Sequence, residues 1–595
     1  MKMKLPEIGP EERTPLVEAL LGLMRQLMDR MAELERVNQE LRDENARLKG
    51  QKGRPDIKPS TLEKPDRPSD VAGDGTGEGR RRGKPTGPRT AELVIHETTQ
   101  VEPPDLPPGA TFRQFEPIVI QDLKLETWNT KSERARYDLP GGGSVLAPLP
   151  AGVLPVEGGH FGAKLVAFIL SQHYQAMITQ PVLLEQLWDY GVVISAGQLH
   201  GILTENKDHF HQEKADVLGA GLTTATYIGT DDTGARHQGQ NGYTTAIGND
   251  LFAYFETTDT KSRLNFLHVL QGDRRTYVIN ETTLVYWQQQ GLPDTLLNNL
   301  KNGPLECAGE EAWQARLAAL GIRSERHVRI ATEGALLGGL IDRGVSPNLI
   351  VLSDGALQFV ILLHAACWIH AERPLVKMVP HHDEHRAVIE TMREQIWELY
   401  QALKTYKLNP DPAQQLILEA RFDTLVDQRT GYPNVNQVLQ SMRAMKADLL
   451  RVLEHPEIPL HNNAEESDIR EFVKRRKISG GTRSGAGRRC RDTFASLKKT
   501  CRKLGIGFWD YLNDRVAGLA RLPRLADVIR QKVQEAAVKK PAAPSPSGAS
   551  EAAATKAVAV PVERPPTNRR ARPPTRDGPR IVLPRATARR AVLPS

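Results

Sequence analysis

Two aspartates follow apolar stretches in a way that is typical of functional carboxylates in α/β proteins. Asp231 ends the β-rich stretch TTATYIGTD, and Asp354 ends the short apolar stretch NLIVLSD. Functional side chains collect at strand ends in α/β sheets, although an aspartate there is also often only a turn residue or a helix cap. The pattern by itself therefore marks both residues only as candidates.

A third acid belongs to a predicted helix in HNNAEESDIREFVKRRK, where Glu466 and Arg470 share one face through their i+4 spacing. Two strand-end aspartates and one helical glutamate suit a pair of Mg²⁺ ions, for which Mn²⁺ could substitute. Such a pair activates a water or a 3′-hydroxyl and stabilises the leaving oxygen of a phosphodiester displacement. The candidate catalytic and metal-binding residues are Asp231, Asp354 and Glu466.

A strongly basic segment follows the third acid. Residues 469–503 contain thirteen basic and two acidic residues, while the whole chain of 595 residues has a formal net charge of +7. Such separation of charge indicates a polyanion-binding surface, most commonly for nucleic acid, and the alternative is a solvated basic face. One helix cannot turn every basic residue toward one groove. The candidate DNA-binding residues are Arg470, Lys474, Arg475, Arg476, Lys477, Arg483 and Arg488.

Two short helical patterns precede the first strand. VLLEQLWDYG begins after Pro181, and SAGQLHGILTEN begins at Ser195, a favourable N-cap residue. Their spacing is that of a helix-turn-helix, whose second helix can enter a major groove. Two ordinary packed helices explain the pattern equally well.

The N-terminal region contains a heptad repeat. Five leucines recur every seven residues from Leu20 to Leu48, and asparagines at 38 and 45 occupy a positions. This pattern predicts a leucine-zipper coiled coil over 16–50 and a dimer or higher homo-oligomer. A single amphipathic helix packed on its own chain is the alternative.

Composition excludes several classes of protein. No run approaches 18 apolar residues, so we expect no membrane span, and the N-terminus lacks the apolar region of a secretory signal. Four cysteines cannot support a disulfide scaffold and fit a reducing cytoplasm.

The sequence also predicts an order of domains. We predict a coiled coil in 1–50, a disordered basic linker in 51–110, a small β unit in 111–155 and a helix-turn-helix-like region in 156–222. An α/β core follows in 223–378 and 460–522, with a helical insertion at 379–459, and residues 523–595 form a disordered basic tail.

Several separated motifs resemble one family. They are IGTDDTGARH, LSDGALQF, CWIHAERPL, IPLHNNAEESDIREFVKRRKISGGTRSGAGRRCRDTF and GFWDYL. From the zipper to about Leu522, the chain resembles DDE transposases of the insertion-sequence sixty-six group (TnpC-type). The resemblance implies an RNase H-like core with a helical insertion, and Asp231, Asp354 and Glu466 as its acidic triad. Asp232, Glu465 and Asp468 are neighbours with which these acids could be confused.

The resemblance also implies a set of partners and a cell compartment. The partners are double-stranded DNA at the element's terminal repeats and at its target, together with possible accessory transposition proteins. The protein would act in the bacterial cytoplasm, associated with the nucleoid.

Cys367 and His370 match a Cys-x₂-His element that follows the second aspartate in such transposases. Two ligands one helical turn apart cannot complete a zinc site, so we favour a packed helix face near the active site. Many family members carry a cysteine-rich segment between the zipper and the core, but residues 51–155 contain no cysteine here. Zinc-dependent end recognition is therefore not expected.

Three other functions remain open from the sequence. An RNase H-like nuclease or resolvase would use the same metals without strand transfer. A catalytically silent DNA-binding relative would retain only the basic surfaces. A structural coiled-coil protein would explain the zipper but not the strand-end acids.

Overall fold

A computed structural model of the chain describes residues 93–149, 160–380 and 382–539. The chain divides into two units, Met1–Asp122 and Leu123–Ser595. The predicted zipper and most of the predicted linker lie outside the described residues. Within the first unit, the described residues 93–122 form no helix or strand.

The predicted small β unit is much shorter than expected. Strands β1 (Arg136–Asp138) and β2 (Ser144–Leu146) form an antiparallel hairpin. The alternating stretch upstream, residues 111–135, contains no strand. Alternation alone does not make a strand, because a strand needs a partner for its backbone hydrogen bonds.

Among the described residues, four helices precede the main sheet. They include the two helices predicted around Gly191, and Ser195 forms a capping box with Gln198 as its position after a turn suggests. Leu187 and Leu199 bury the apolar faces of the two helices. The helices are α1 (Ala163–Tyr174), α2 (Gln180–Asp189), α3 (Ala196–Thr204) and α4 (Asp208–Thr224).

An antiparallel meander follows, formed by β3 (Tyr227–His237), β4 (Gln240–Gly248) and β5 (Ala253–Thr258). The sequence of residues 241–258 predicts a hairpin that turns near Gly248 and Asn249, and the turn between β4 and β5 lies there. The β-rich stretch before Asp231 is also a strand, but it continues to His237 because β4 pairs with β3 along its whole length.

A mainly helical insertion separates β5 from the next strand of the sheet. Trp287 and Trp313 are fully buried in it, and their indole N–H groups donate to the Ala331 carbonyl oxygen and the Thr332 hydroxyl. The insertion consists of α5 (Arg263–Gln271), β6 (Thr276–Val278), α6 (Glu281–Gln289), α7 (Asp294–Lys301), β7 (Glu306–Ala308), α8 (Glu310–Ala319) and α9 (Glu325–Asp342).

Strands β8 (Ile350–Ser353) and β9 (Leu363–Ala366) complete the sheet in the order β5-β4-β3-β8-β9. Both run parallel to β3, and all four residues of β8 are buried. A fully buried parallel strand explains why NLIVLS reads as a continuous apolar run.

A second helical insertion follows β9 and has its own apolar core around Trp368 and Phe422. Its helices cover the range predicted to be helical. They are α10 (Trp368–Lys377), α11 (Asp383–Tyr406), α12 (Pro412–Val426), α13 (Pro433–Ala444), α14 (Lys446–Leu449) and α15 (Arg451–Glu454).

The last helices are α16 (Asn463–Ser479), α17 (Gly485–Leu504), α18 (Phe508–Val516) and α19 (Leu525–Lys539). Helix α19 corrects the expected disordered tail, because Leu525 and Ile529 are fully buried and the Leu525 backbone N–H donates to Glu213. Residues from 540 onward lie outside the described chain. In the part that the structure describes, no helix is long and apolar enough to cross a membrane.

Helix α17 covers the free edge of β5 with polar side chains. Asp492, Ser496 and Thr500 recur every four residues and accept hydrogen bonds from the backbone N–H groups of Thr257, Phe255 and Ala253 at 2.8–3.1 Å. Alternate residues of a strand present their N–H groups on the same edge, so a helix with this spacing satisfies the edge as a neighbouring strand would.

Helix α9 packs closely against the first insertion, which gives a prediction for Gly338. An added Cβ there would overlap the Val278 carbonyl oxygen and the Thr283 hydroxyl. We expect Gly338→Ala to lower the free energy of unfolding by about 1–3 kcal/mol, measured by urea denaturation. Gly219→Ala is the matched control, because its Cβ would meet open space on α4 and should stabilise the helix by about 0.5–1 kcal/mol. Equal effects at the two sites would contradict this packing.

Candidate active site

Asp231 lies within β3, and Asp354 follows the last residue of the neighbouring parallel strand β8. The register of β3 and β8 pairs Gly229 with Leu352, and continuing it by two residues would place Asp231 opposite Asp354. Adjacent strands are about 4.8 Å apart. The Asp231 carboxylate accepts the Asp232 backbone N–H at 2.8 Å, and Asp354 accepts that of Ala356 at 2.9 Å.

Helix α16 carries Glu466 and lies against β3. The helix crosses β3 at Gly229, where an added Cβ would overlap the Glu465 carboxyl group, and the Asn462 side-chain amide donates to the Thr230 carbonyl oxygen at 2.7 Å. Glu466 is the next residue of the helix, and its charge contributes to the raised pKa of Asp231.

The Glu466 carboxylate is surrounded by cationic and polar groups. Its Oε1 lies 3.3 Å from His370 Nε2 and 3.3 Å from Arg373 Nη2, and its Oε2 lies 3.5 Å from Arg470 Nη2. These contacts fix the side chain before any ligand binds. Arg470 was predicted to contact DNA, whereas the sequence analysis missed Arg373, although it follows His370 by one helical turn in CWIHAERPL.

The charges of Asp354 and Glu466 affect the ionisation of Asp231. Burial, with smaller contributions from the charges of Asp354, Glu466 and Asp232, raises the pKa of Asp231 to about 7. Ionising all three carboxylates is therefore costly without a cation. Among the described residues, no three His, Cys, Asp or Glu side chains converge as ready-made metal ligands. Carboxylate oxygens nevertheless suit Mg²⁺, which takes few protein ligands and completes its shell with water and phosphate.

The neighbouring acids have other partners. Asp232 receives Lys261 Nζ at 3.3 Å and the Gln358 amide at 2.8 Å. Glu465 is buried beneath β3, and burial raises its pKa to about 7. Asp468 pairs with Lys499 at 3.2 Å and Lys503 at 2.9 Å on α17. The geometry therefore separates Asp231 and Glu466 from the neighbours with which they could be confused.

The raised pKa of Asp231 gives a prediction about stability and pH. The pKa of Asp231 is 3.8, its ordinary value, in the unfolded chain and about 7 in the folded chain. Between pH 3.8 and about 7 the folded state therefore binds more protons than the unfolded state. Stability then falls as pH rises through that window. In EDTA, Asp231→Asn should raise the free energy of unfolding at pH 8 by on the order of 1 kcal/mol or more, and by less at pH 5.

Thermal unfolding of both proteins at the two pH values checks this prediction. Asp232→Asn is the control, because removing a carboxylate that pairs with Lys261 should not stabilise the fold. A stabilisation by Asp231→Asn that is larger at pH 5 than at pH 8 would contradict the assignment.

Comparison with known proteins gives the family of the chain. Residues 358–489, which include Glu466 and most of the basic segment, match the family model described as Transposase IS66 family. An uncharacterised protein of Sinorhizobium fredii, y4jO, is 40% identical over 303 residues, which cover 50% of this chain and 94% of that protein. The chain belongs to the IS66 family of transposases. The family points to DNA transposition and implies DNA binding.

Cys367 and His370 have structural roles in this IS66-family chain. Cys367 is buried, burial raises the pKa of its thiol, and its sulfur accepts the Asn462 backbone N–H at 3.3 Å. His370 contacts Glu466. The pair therefore connects α10 to the start of α16.

A buried chain of side chains supports the turn that carries Asp354. Asp448 on α14 lies 3.1 Å from His364 Nδ1, and His364 Nε2 lies 2.8 Å from the Ser353 hydroxyl oxygen, which also accepts the Gly355 backbone N–H. Ser353 is fully buried, so it cannot serve as a nucleophile. The sequence analysis missed this chain, because its members are far apart in the sequence and acquire a role only through contact.

Removing the Ser353 hydroxyl tests this support. Ser353→Ala leaves the His364 ring and the Gly355 N–H without their buried partner, which costs about 1–3 kcal/mol of stability and loosens the Asp354 turn. We expect weaker metal-dependent DNA cleavage at unchanged DNA affinity. Ser346→Ala, at a half-buried position before β8, is the matched control, and equal cleavage by the two variants would argue against a positioning role.

The predicted DNA-binding residues separate into two groups. Lys474, Lys477 and Arg483 are exposed, whereas Arg488 is partly buried and pairs with Asp259 at 3.2 Å. Arg475 and Arg476 turn inward, where Arg475 donates to His173 and Arg476 donates to the Gly234 carbonyl oxygen. The outward lysines and Arg483 remain available to phosphates.

The helix-turn-helix-like pair α2 and α3 carries no cation of its own. Residues 176–206 contain Glu185, Asp189 and Glu205 but neither lysine nor arginine. Cationic side chains make most contacts with DNA phosphates. If α3 enters a groove, the phosphate contacts must come from other elements.

Proposed function

We propose that the protein is a DDE-type transposase that cleaves DNA strands at the ends of its own element and joins them to target DNA. The observation that carries the proposal is that the charges of Asp354 and Glu466 act on the buried carboxyl group of Asp231 and raise its pKa. Asp231 lies on β3, Asp354 follows the neighbouring parallel strand β8, and Glu466 lies on α16. The family match, which contains Glu466, supports the same reading.

We propose that the five-stranded sheet is an RNase H-like core. An antiparallel meander of three strands is followed by two strands parallel to its first member, with helical insertions between β5 and β8 and between β9 and α16. This order accounts for the long spacings between the three acids and agrees with the fold implied by the sequence resemblance.

In this proposal Asp231, Asp354 and Glu466 hold two Mg²⁺ or Mn²⁺ ions. Bound there, the ions would activate the nucleophile and stabilise the leaving oxygen. Arg470 and Arg373 orient Glu466, and the Asp448–His364–Ser353 chain holds the Asp354 turn. Exposed Lys474, Lys477 and Arg483 bind the DNA backbone. Water is the first nucleophile, and the freed 3′-hydroxyl is the second.

Further parts of the proposal concern assembly and place of action. We propose homodimers or higher oligomers formed through the N-terminal zipper, action in the bacterial cytoplasm near the nucleoid, and accessory transposition proteins. A nuclease or resolvase without strand transfer would use the same carboxylates. An assay that detects joined products as well as cut ones distinguishes the two.

Substitution of the acids tests the chemistry. We expect Asp231→Asn and Glu466→Gln to reduce Mg²⁺-dependent nicking of plasmid DNA by at least about 100-fold, with DNA binding in a gel-shift assay retained. The plasmid should carry the DNA that flanks the coding region, so that strand joining can be scored.

Asp232→Asn is the matched control, because it removes the same charge one residue away and should retain most of the activity. Asp468→Asn serves the same purpose for Glu466 and should act mainly on stability, through Lys499 and Lys503. If nicking survives in Asp231→Asn or is lost equally in Asp232→Asn, the assignment of the triad is wrong.

A further inference from the structure

A cavity of about 840 Å³ lies beyond the far end of the candidate active site. Its walls come from α1, α2 and α3, the second half of β3, the second half of α16 and the loop Gly480–Ser484. Thr233 of its lining follows Asp231 by two residues on β3, which is about 7 Å along a strand. One DNA strand can therefore occupy the active site and the cavity together.

The charge on the cavity wall is entirely positive. It includes five arginines and neither Asp nor Glu. Arg491 is neutralised by Asp492 at 3.1 Å. Within the described chain, the other four have no carboxylate partner at ion-pair distance. They are Arg236, Arg475, Arg476 and Arg483.

Arg475 is the most confined of these cations. Its guanidinium lies 5.0 Å from the centre of the Tyr174 ring and donates to His173 Nε2 at 3.0 Å. Burial, and then the charge of Arg475, lower the pKa of His173 to about 4, so the ring is neutral. Its Nδ1–H donates to the Ile178 carbonyl oxygen at 2.8 Å, and its Nε2 accepts from Arg475. A half-buried cation without a counter-ion is costly, and a bound anion would offset that cost.

The rest of the lining is apolar and makes room for more than a phosphate. Leu184, Leu199, Phe472 and Ile478 also line the cavity. A lining that combines cations with apolar groups suits a ligand with a phosphate and a flat, weakly polar part. A nucleotide has this character, and proteins bind extruded bases against apolar and aromatic side chains.

We propose that this cavity binds one unpaired nucleotide of the DNA strand being processed, with its phosphate at Arg475 and its base against the apolar wall. The inference rests on the proposed function for its DNA substrate and adds a second site to it. The neighbouring arginines Arg236 and Arg483 contribute long-range attraction for the backbone. Binding of this kind favours DNA that already contains an unpaired nucleotide, because no base pair has to be broken.

The test compares two labelled duplexes that differ only by a single unpaired nucleotide, using the full-length chain in EDTA. We expect the wild type to bind the bulged duplex about tenfold more tightly, which corresponds to about 1.4 kcal/mol. Arg475→Met should reduce this preference to about twofold or less and leave the affinity for the paired duplex nearly unchanged. Arg475→Lys, which keeps a charge but loses the planar group, should retain part of the preference.

Two further variants control for folding and charge. Ala196→Trp fills the cavity from its rim without changing any charge and should also remove the preference. Arg530→Met removes one exposed charge on α19, away from the cavity, and should retain the preference for the bulged duplex. Thermal unfolding verifies that each variant folds. A preference that survives both Arg475→Met and Ala196→Trp would overturn the proposal.

Free deoxyadenosine monophosphate separates the two sources of a nucleotide. If deoxyadenosine monophosphate competes with the bulged duplex, and if its own binding is lost in Ala196→Trp, the cavity is the site of the unpaired nucleotide. If it binds in the cavity but leaves the preference for bulged DNA unchanged, the DNA proposal is rejected in favour of a free nucleotide. Asp231→Asn should keep the preference while losing nicking. An Asp231→Asn protein that still nicks DNA would reject the proposed function without affecting the cavity result.

Discussion

Helix α16 approaches strand β3 so closely at Gly229 that this position of the strand has no room for a Cβ. The Glu465 carboxyl occupies the space that a Cβ would take, and Asn462 holds the helix end through the Thr230 carbonyl oxygen. The direction of Glu466 follows from this contact, because successive helix residues point about 100° apart. The position of the third acid relative to Asp231 and Asp354 therefore depends on packing at a residue that takes no part in chemistry.

The basic segment serves the fold as much as it serves DNA. Lys499 and Lys503 pair with Asp468, and Lys499 also pairs with Glu471, so α17 is fastened to α16 by charges. The polar side chains of α17 at the same time satisfy the edge of β5. A charge count of 469–503 thus overstates the number of cations that remain free to bind phosphates. The free cations are concentrated at the end of α16 and in the loop after it.

The helical insertions also contribute to the site. The second insertion has its own core, yet its Asp448 reaches the Asp354 turn through His364 and Ser353, and the Trp368 indole donates to the Leu449 carbonyl oxygen. His370 and Arg373 of α10 hold Glu466. Asp354 and Glu466 are therefore held in part by groups that are distant from them in the sequence.

The sequence alone determined the local elements: strands before Asp231 and Asp354, the hairpin of β4 and β5, the capped helix at Ser195 and the helix that carries Glu466. These follow from periodicity, caps and turns, which are set by neighbouring residues. Only the tertiary structure decided that Asp232 pairs with Lys261, that Asp468 pairs with lysines of α17, that Arg475 turns inward, and that 525–539 folds while 111–135 forms no strand. Those outcomes depend on which residues from distant parts of the sequence come into contact, and the local sequence pattern carries no information about such contacts.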